Sequence, residues 1–161
     1  MARGDKHLEY FNITVGLIFD YLISNFPITQ DIRPDVLGEP FEKLVIVASE
    51  ETQRQKPNLR QQVGERYIEG SNIPPRIYVE QVLDWLEHEG FIYKAGAKDY
   101  QLTRETLTIL NSVPEGLQEK FSDRLSQAVG DVANMGMRTV ISETVGQIIG
   151  AAARSFTGHS G

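Results

Sequence analysis

Apolar residues recur at helical spacing through residues 8–25, where Phe11, Val15, Ile18, Phe19 and Leu22 form a broad inward stripe. Pro27 ends this helix, because the residue before a proline is pushed out of the helical region. Residues 29–40 hold Pro34, Gly38 and Pro40 among acids and read as a loop. A short helix is expected over 41–52, with Phe41, Leu44, Val45 and Ala48 inward. Residues 53–69 are polar. Their apolar positions Leu59, Val63 and Tyr67 recur every four residues, the pattern of a lightly buried helix or an ordered excursion. Pro74 and Pro75 then open a strong helix, since proline is tolerated in a first turn. Val79, Val82, Leu83 and Leu86 form its inner face, Trp85 flanks it, and Gly90 sits where a helix ends.

After Gly90 the period changes from that of a helix to that of a strand. Phe91 to Lys94 and Asp99 to Leu102 read as two short strands joined by the turn Ala95-Gly96-Ala97-Lys98. Thr103 can cap a helix with Leu107 and Leu110 inward, and Pro114 stops it. Further on, Leu117, Phe121, Leu125, Val129 and Val132 make one helical stripe, and Met137, Ile141, Val145, Ile148 and Ala152 a second. Gly130, Asn134 and Gly136 are the expected break between them. The fold class is therefore mainly α with a small β-hairpin. Residues 1–114 are expected as one domain, best supported over 74–114. Residues 115–156 are expected as a helical association segment, and 157–161 as a disordered tail.

The run Trp85-Leu-Glu-His-Glu-Gly-Phe-Ile, the hairpin, and the closing Gln101-Leu-Thr resemble the winged helix-turn-helix superfamily. The resemblance covers residues 78–114, with 8–25 as the first helix. Residues 41–69 are longer than its usual second-helix region, and Thr106 stands where the superfamily often has glycine. The resemblance implies a third helix that enters a major groove and a wing that touches phosphate, hence a regulator binding double-stranded DNA as a dimer. Folds host many functions, so an adaptor or accessory subunit that engages protein and no nucleic acid is the competing expectation.

Charge divides these two readings. The net charge is −6, which opposes binding to nucleic acid through bulk charge. The third helix carries Arg76 but also Glu80, Asp84, Glu87 and Glu89. The wing offers Lys94 and Lys98. A richer basic cluster, Arg54, Lys56, Arg60 and Arg66, stands among amide side chains suited to phosphates and base edges. Its plain alternative is a solvated polar segment. These seven bases are the candidate DNA contacts.

The absence of cysteine excludes disulfides, thiolate metal sites and a cysteine nucleophile, and it fits a reducing cytoplasm. No early apolar run reads as a signal peptide, and no stretch is apolar enough to span a bilayer. His7, His88 and His159 are too scattered for a metal site. No phosphate-binding loop or nucleophile elbow appears, so no enzyme activity and no cofactor is expected. One motif remains. Gly146-Gln-Ile-Ile-Gly150, followed by three alanines, offers small residues for close helix approach. Met137, Ile141, Val145, Gly146, Ile148, Ile149 and Gly150 are the candidate association residues. Their partner is expected to be a second copy, another protein, or the chain's own core.

Overall fold

Apolar residues at helical spacing drive the first element, α1 (Arg3–Ser24), through the centre of the molecule. Ile13, Val15, Ile18, Phe19 and Leu22 are each at most 1% exposed. Each such side chain contributes about 1.5–3 kcal/mol relative to leaving it in water. A computed structural model of the chain describes residues 3–47, 66–69, 71, 73–131 and 136–158. The described residues are mainly helical, with a small three-stranded antiparallel sheet and a separate two-stranded one.

The region expected as a loop carries regular structure. β1 (Gln30–Asp31) is followed by a 3-10 turn (Pro34–Leu37) and by α2 (Glu39–Glu42). Gly38, at φ 76°, turns the chain between the last two. The helix expected over 41–52 is replaced after Lys43 by a strand, β2 (Val45–Val47), paired antiparallel with β3 (Arg66–Ile68). The reason is local: Val45-Ile46-Val47 is a β-branched run that loses side-chain freedom in a helix and suits a strand. Most of the excursion over 53–69 lies outside the described residues. Its described end is β3, where Tyr67 and Ile68 are buried.

The proline-initiated helix is α3 (Pro75–His88), which buries Val79, Val82, Leu83 and Leu86. Gly90 takes φ 87°, which only glycine adopts without strain, and turns the chain into the hairpin β4 (Ile92–Lys94) and β5 (Asp99–Leu102). Phe91 N–H donates to Leu86 O at 2.9 Å and closes the end of α3. β5 is the central strand. It pairs with β4 on one side and with β1 on the other, giving the order β1-β5-β4.

Thr103 caps α4 (Arg104–Leu110). Its hydroxyl accepts from Thr106 N–H at 3.3 Å and donates to Gly90 O at 2.8 Å, tying the helix start to the turn before the hairpin. Thr106, Ile109 and Leu110 are buried here, while Leu107 is half-buried. α5 (Phe121–Gly130) buries Phe121 and Leu125. Leu117, expected in the same stripe, precedes the helix and is 37% exposed. Val132 and Asn134 lie outside the described residues. α6 (Gly136–Gly158) buries Ile141, Val145, Ile148 and Ala152. The helix extends past the expected tail boundary at 157; residues 159–161 are outside the described set.

α6 lies alongside α1 with the same polarity. Asn12 Nδ2 donates to Ser142 Oγ at 3.3 Å. At Gly16 the two helices come so close that a Cβ would meet Ile141 Cγ2 at 2.7 Å and Val145 Cγ2 at 3.1 Å. Glycine at this position is a packing requirement, because a methyl group has no room.

Candidate interaction groove

Sheet order builds the principal groove. β5 sits beside both β1 and β4, so Tyr100 faces Gln30 across one seam and Lys94 across the other. The chain leaving β1 carries Asp31 and Arg33. The hairpin tip carries Lys98, and the outer side of α3 carries Arg76, Glu80 and Asp84. These segments enclose a cavity of about 370 Å³. Its floor is the ring of Tyr100, which is mostly buried.

Four bases meet here: Arg33, Arg76, Lys94 and Lys98. Acids are interleaved with them. Arg76 Nε stands 3.9 Å from Glu80 Oε1, one helical turn on. Arg33 Nε lies 3.6 Å from Asp31 Oδ2 and 3.8 Å from Asp35 Oδ1. The Lys94 ammonium sits 5.9 Å from the Tyr100 ring centroid, within cation–π reach. The Tyr100 hydroxyl responds to this setting. Burial pushes its pKa up first, and Glu87, Asp84, Glu80 and Asp31 push it further in the same direction. Burial is the larger cause, and the four carboxylates act on the hydroxyl in the same direction.

The sequence-derived bases therefore divide. Arg76, Lys94 and Lys98 are brought together. Arg66 is not: it lies on β3, away from the groove, and its guanidinium is bound to the carboxylate of Glu42. Arg54, Lys56 and Arg60 lie outside the described residues. Arg33, Asp31 and Tyr100 were missed as site residues. Their membership depends on β1, a two-residue strand inside a Pro/Gly segment that offers no alternation to read.

Compared with family models, with curated proteins and with solved structures, the chain matches none. The functional reading therefore rests on the groove's own chemistry. Among the described residues, no group of three or more His, Asp or Glu side chains stands close enough to hold a metal ion. None of the described helices is long and apolar enough to cross a membrane.

The association residues also divide. Ile141, Val145 and Ile148 are at most 3% exposed and pack against the α1 core, so they offer no surface to another molecule. Of the three expected uses of this stripe, docking on the chain's own core accounts for them. Met137 and Ile149 are half-buried against the same cluster. Gly146 and Gly150 point the other way. They line a second cavity, of about 700 Å³, between α6 and the segment around Val113 and Glu115. The close approach expected at these glycines is found instead at Gly16.

Proposed function

We propose that the chain is a winged-helix interaction module, a non-enzymatic adaptor or accessory subunit that engages a protein partner through the groove between α3 and the hairpin. The winged-helix reading is supported by the succession α1, β1, α2, α3 and the β4–β5 hairpin, interrupted by the separate β2–β3 pair, and by a sheet in which the first strand pairs with the last. The choice of protein over DNA is carried by one observation: Asp31, Glu80 and Asp84 line the groove among its four bases, where a phosphate-facing surface calls for cations alone. A groove that mixes signs suits a polypeptide segment carrying both charges, because register and partner choice follow from the alternation.

A second reading, double-stranded DNA, is favoured by the convergence of Arg33, Arg76, Lys94 and Lys98 on one groove. A single titration separates the two. The chain is titrated on random-sequence duplex DNA across a salt series, beside an Arg76→Ala/Lys94→Ala/Lys98→Ala variant and a Glu80→Gln/Asp84→Gln variant. The protein-partner reading expects no salt-dependent binding by the natural chain and a gain of binding when the two acids are neutralised. Steep salt dependence in the natural chain, with a logarithmic slope of about −0.9 per phosphate contacted, lost in the triple-alanine variant, would establish the DNA reading instead.

A further inference from the structure

The charges of the α3 groove are less mixed than its lining suggests, because several already have partners within the chain. Arg33 Nε stands 3.6 Å from Asp31 Oδ2 and 3.8 Å from Asp35 Oδ1, and Arg76 Nε stands 3.9 Å from Glu80 Oε1. Three lining charges are left with no ion pair among the described residues: Lys94, Lys98 and Asp84. They are sorted by wall. Lys94 ends β4 and Lys98 immediately precedes β5, so both cations belong to the hairpin. Asp84 belongs to α3, one turn beyond Glu80. All three residues are exposed. The Lys94 ammonium rests 5.9 Å from the centroid of the Tyr100 ring on the groove floor. An aromatic ring has no net charge, so this contact leaves the ammonium without a neutralising partner.

We propose that the partner segment entering this groove is dipolar across it, with an acidic side chain set against Lys94 and Lys98 and a basic one against Asp84. The inference rests on the reading of the groove as a protein-binding surface, and it specifies what that surface selects. A segment of one sign satisfies one wall and meets like charge at the other, which costs affinity. A segment of both signs satisfies both walls in one orientation. Exchanging its two charges sets acid on acid and base on base, so the sorted walls reject as well as attract. The Tyr100 ring offers the stem of a lysine or arginine an apolar surface to cover beside Asp84. The occupant is part of a polypeptide rather than a free small zwitterion because the three charges are exposed. Exposed ion pairs each contribute little, and they hold a ligand when neighbouring contacts of the same chain hold it too.

The test selects random linear peptides on the immobilised full chain, displayed in many copies per particle so that weak binders are retained. Selected peptides are then synthesised and titrated on the natural chain and its variants, with circular dichroism to verify folding. Groove binders are expected to carry an acid and a base at a constant separation. Lys98→Glu and Asp84→Lys are each expected to weaken them by about tenfold. Asp84→Asn, which removes the charge without reversing it, is expected to give a smaller loss. The wall-swapped chain Lys94→Glu/Lys98→Glu/Asp84→Lys is expected to reject these peptides and to accept versions in which the acid and the base have traded places. Binders of a single sign that Lys98→Glu or Asp84→Lys disrupts overturn the dipolar inference and leave the protein-partner reading standing. So do two-signed binders that Lys98→Glu disrupts and Asp84→Lys leaves intact. A selection in which no peptide depends on Lys94, Lys98 or Asp84 overturns both.

Discussion

Two glycines inside helices, Gly16 and Gly146, stand on opposite sides of α6 and have opposite meanings. Gly16, on α1, meets the inner face of α6, where Ile141 and Val145 leave no room for a Cβ. Gly146 belongs to α6 itself and faces outward, with no atom within 4 Å of a Cβ. Either glycine weakens its helix by about 0.5–1 kcal/mol relative to alanine. At Gly16 the close packing of two helices within the chain offsets that cost. At Gly146 nothing among the described residues does. A motif of small residues marks where close approach is possible; the surrounding packing decides where it happens.

The largest expected effect tests the tight side. Gly16→Val drives methyl groups into Ile141 and Val145 and is expected to cost about 3 kcal/mol, at the upper end for overpacking. The readout is the denaturant midpoint at an unchanged slope. A midpoint equal to that of the natural chain would mean that α1 and α6 are not in close contact.

A gain is expected from the same inner face. Thr144 is fully buried, and its hydroxyl has no hydrogen-bond partner among the described residues. Thr144→Val keeps the shape, removes the unpaired hydroxyl, and is expected to add about 1 kcal/mol in thermal or chemical unfolding. A loss of similar size would show that the hydroxyl has a partner.

On the open side, Gly146→Ala is expected to stabilise the dilute chain by about 0.5–1 kcal/mol, the helix preference of alanine with no steric cost. Measurement at low protein concentration keeps association out of the result. Destabilisation would place Gly146 in a contact that its open surroundings exclude.

The smallest effect concerns pH. Asp20 lies one turn beyond Gly16, and one of its carboxyl oxygens is buried without a partner among the described residues. Burial raises its pKa above the ordinary 3.8. The folded chain thus holds this proton to higher pH than the unfolded chain does. Stability falls as pH rises from 3.8 through the higher folded value, then stays at the lower level. Asp20→Asn is expected to remove that fall and to raise the melting temperature at neutral pH. Parallel pH profiles for the two chains would refute this.

The helices and the hairpin were legible because each is written in local periodicity. The stripe from Val79 to Leu86, the turn at Gly90 and the cap at Thr103 occur where helix, turn and capping chemistry require them. β1 was not legible. Its two residues have no pattern of their own and become a strand only because β5 offers an edge. That single pairing brings Asp31 and Arg33 to Arg76 and Lys98, and without it the groove has no third wall. β2 shows the converse: its β-branched composition was visible at Val45, but a helical period starting at Phe41 competed with it. The pairing with β3 accompanies the strand outcome.

The sequence by itself determined the inward faces of α3 and α6 and most of that of α1, where α3 stops, and that the wing and third helix carry both signs of charge. Those properties depend on neighbours within a few positions, through backbone geometry and side-chain spacing. Only the tertiary structure decided which glycine is crowded, which face of α6 remains outward, and that the four bases of the groove share it with three acids. Those properties depend on distances between elements far apart in the chain, and local periodicity carries no information about them.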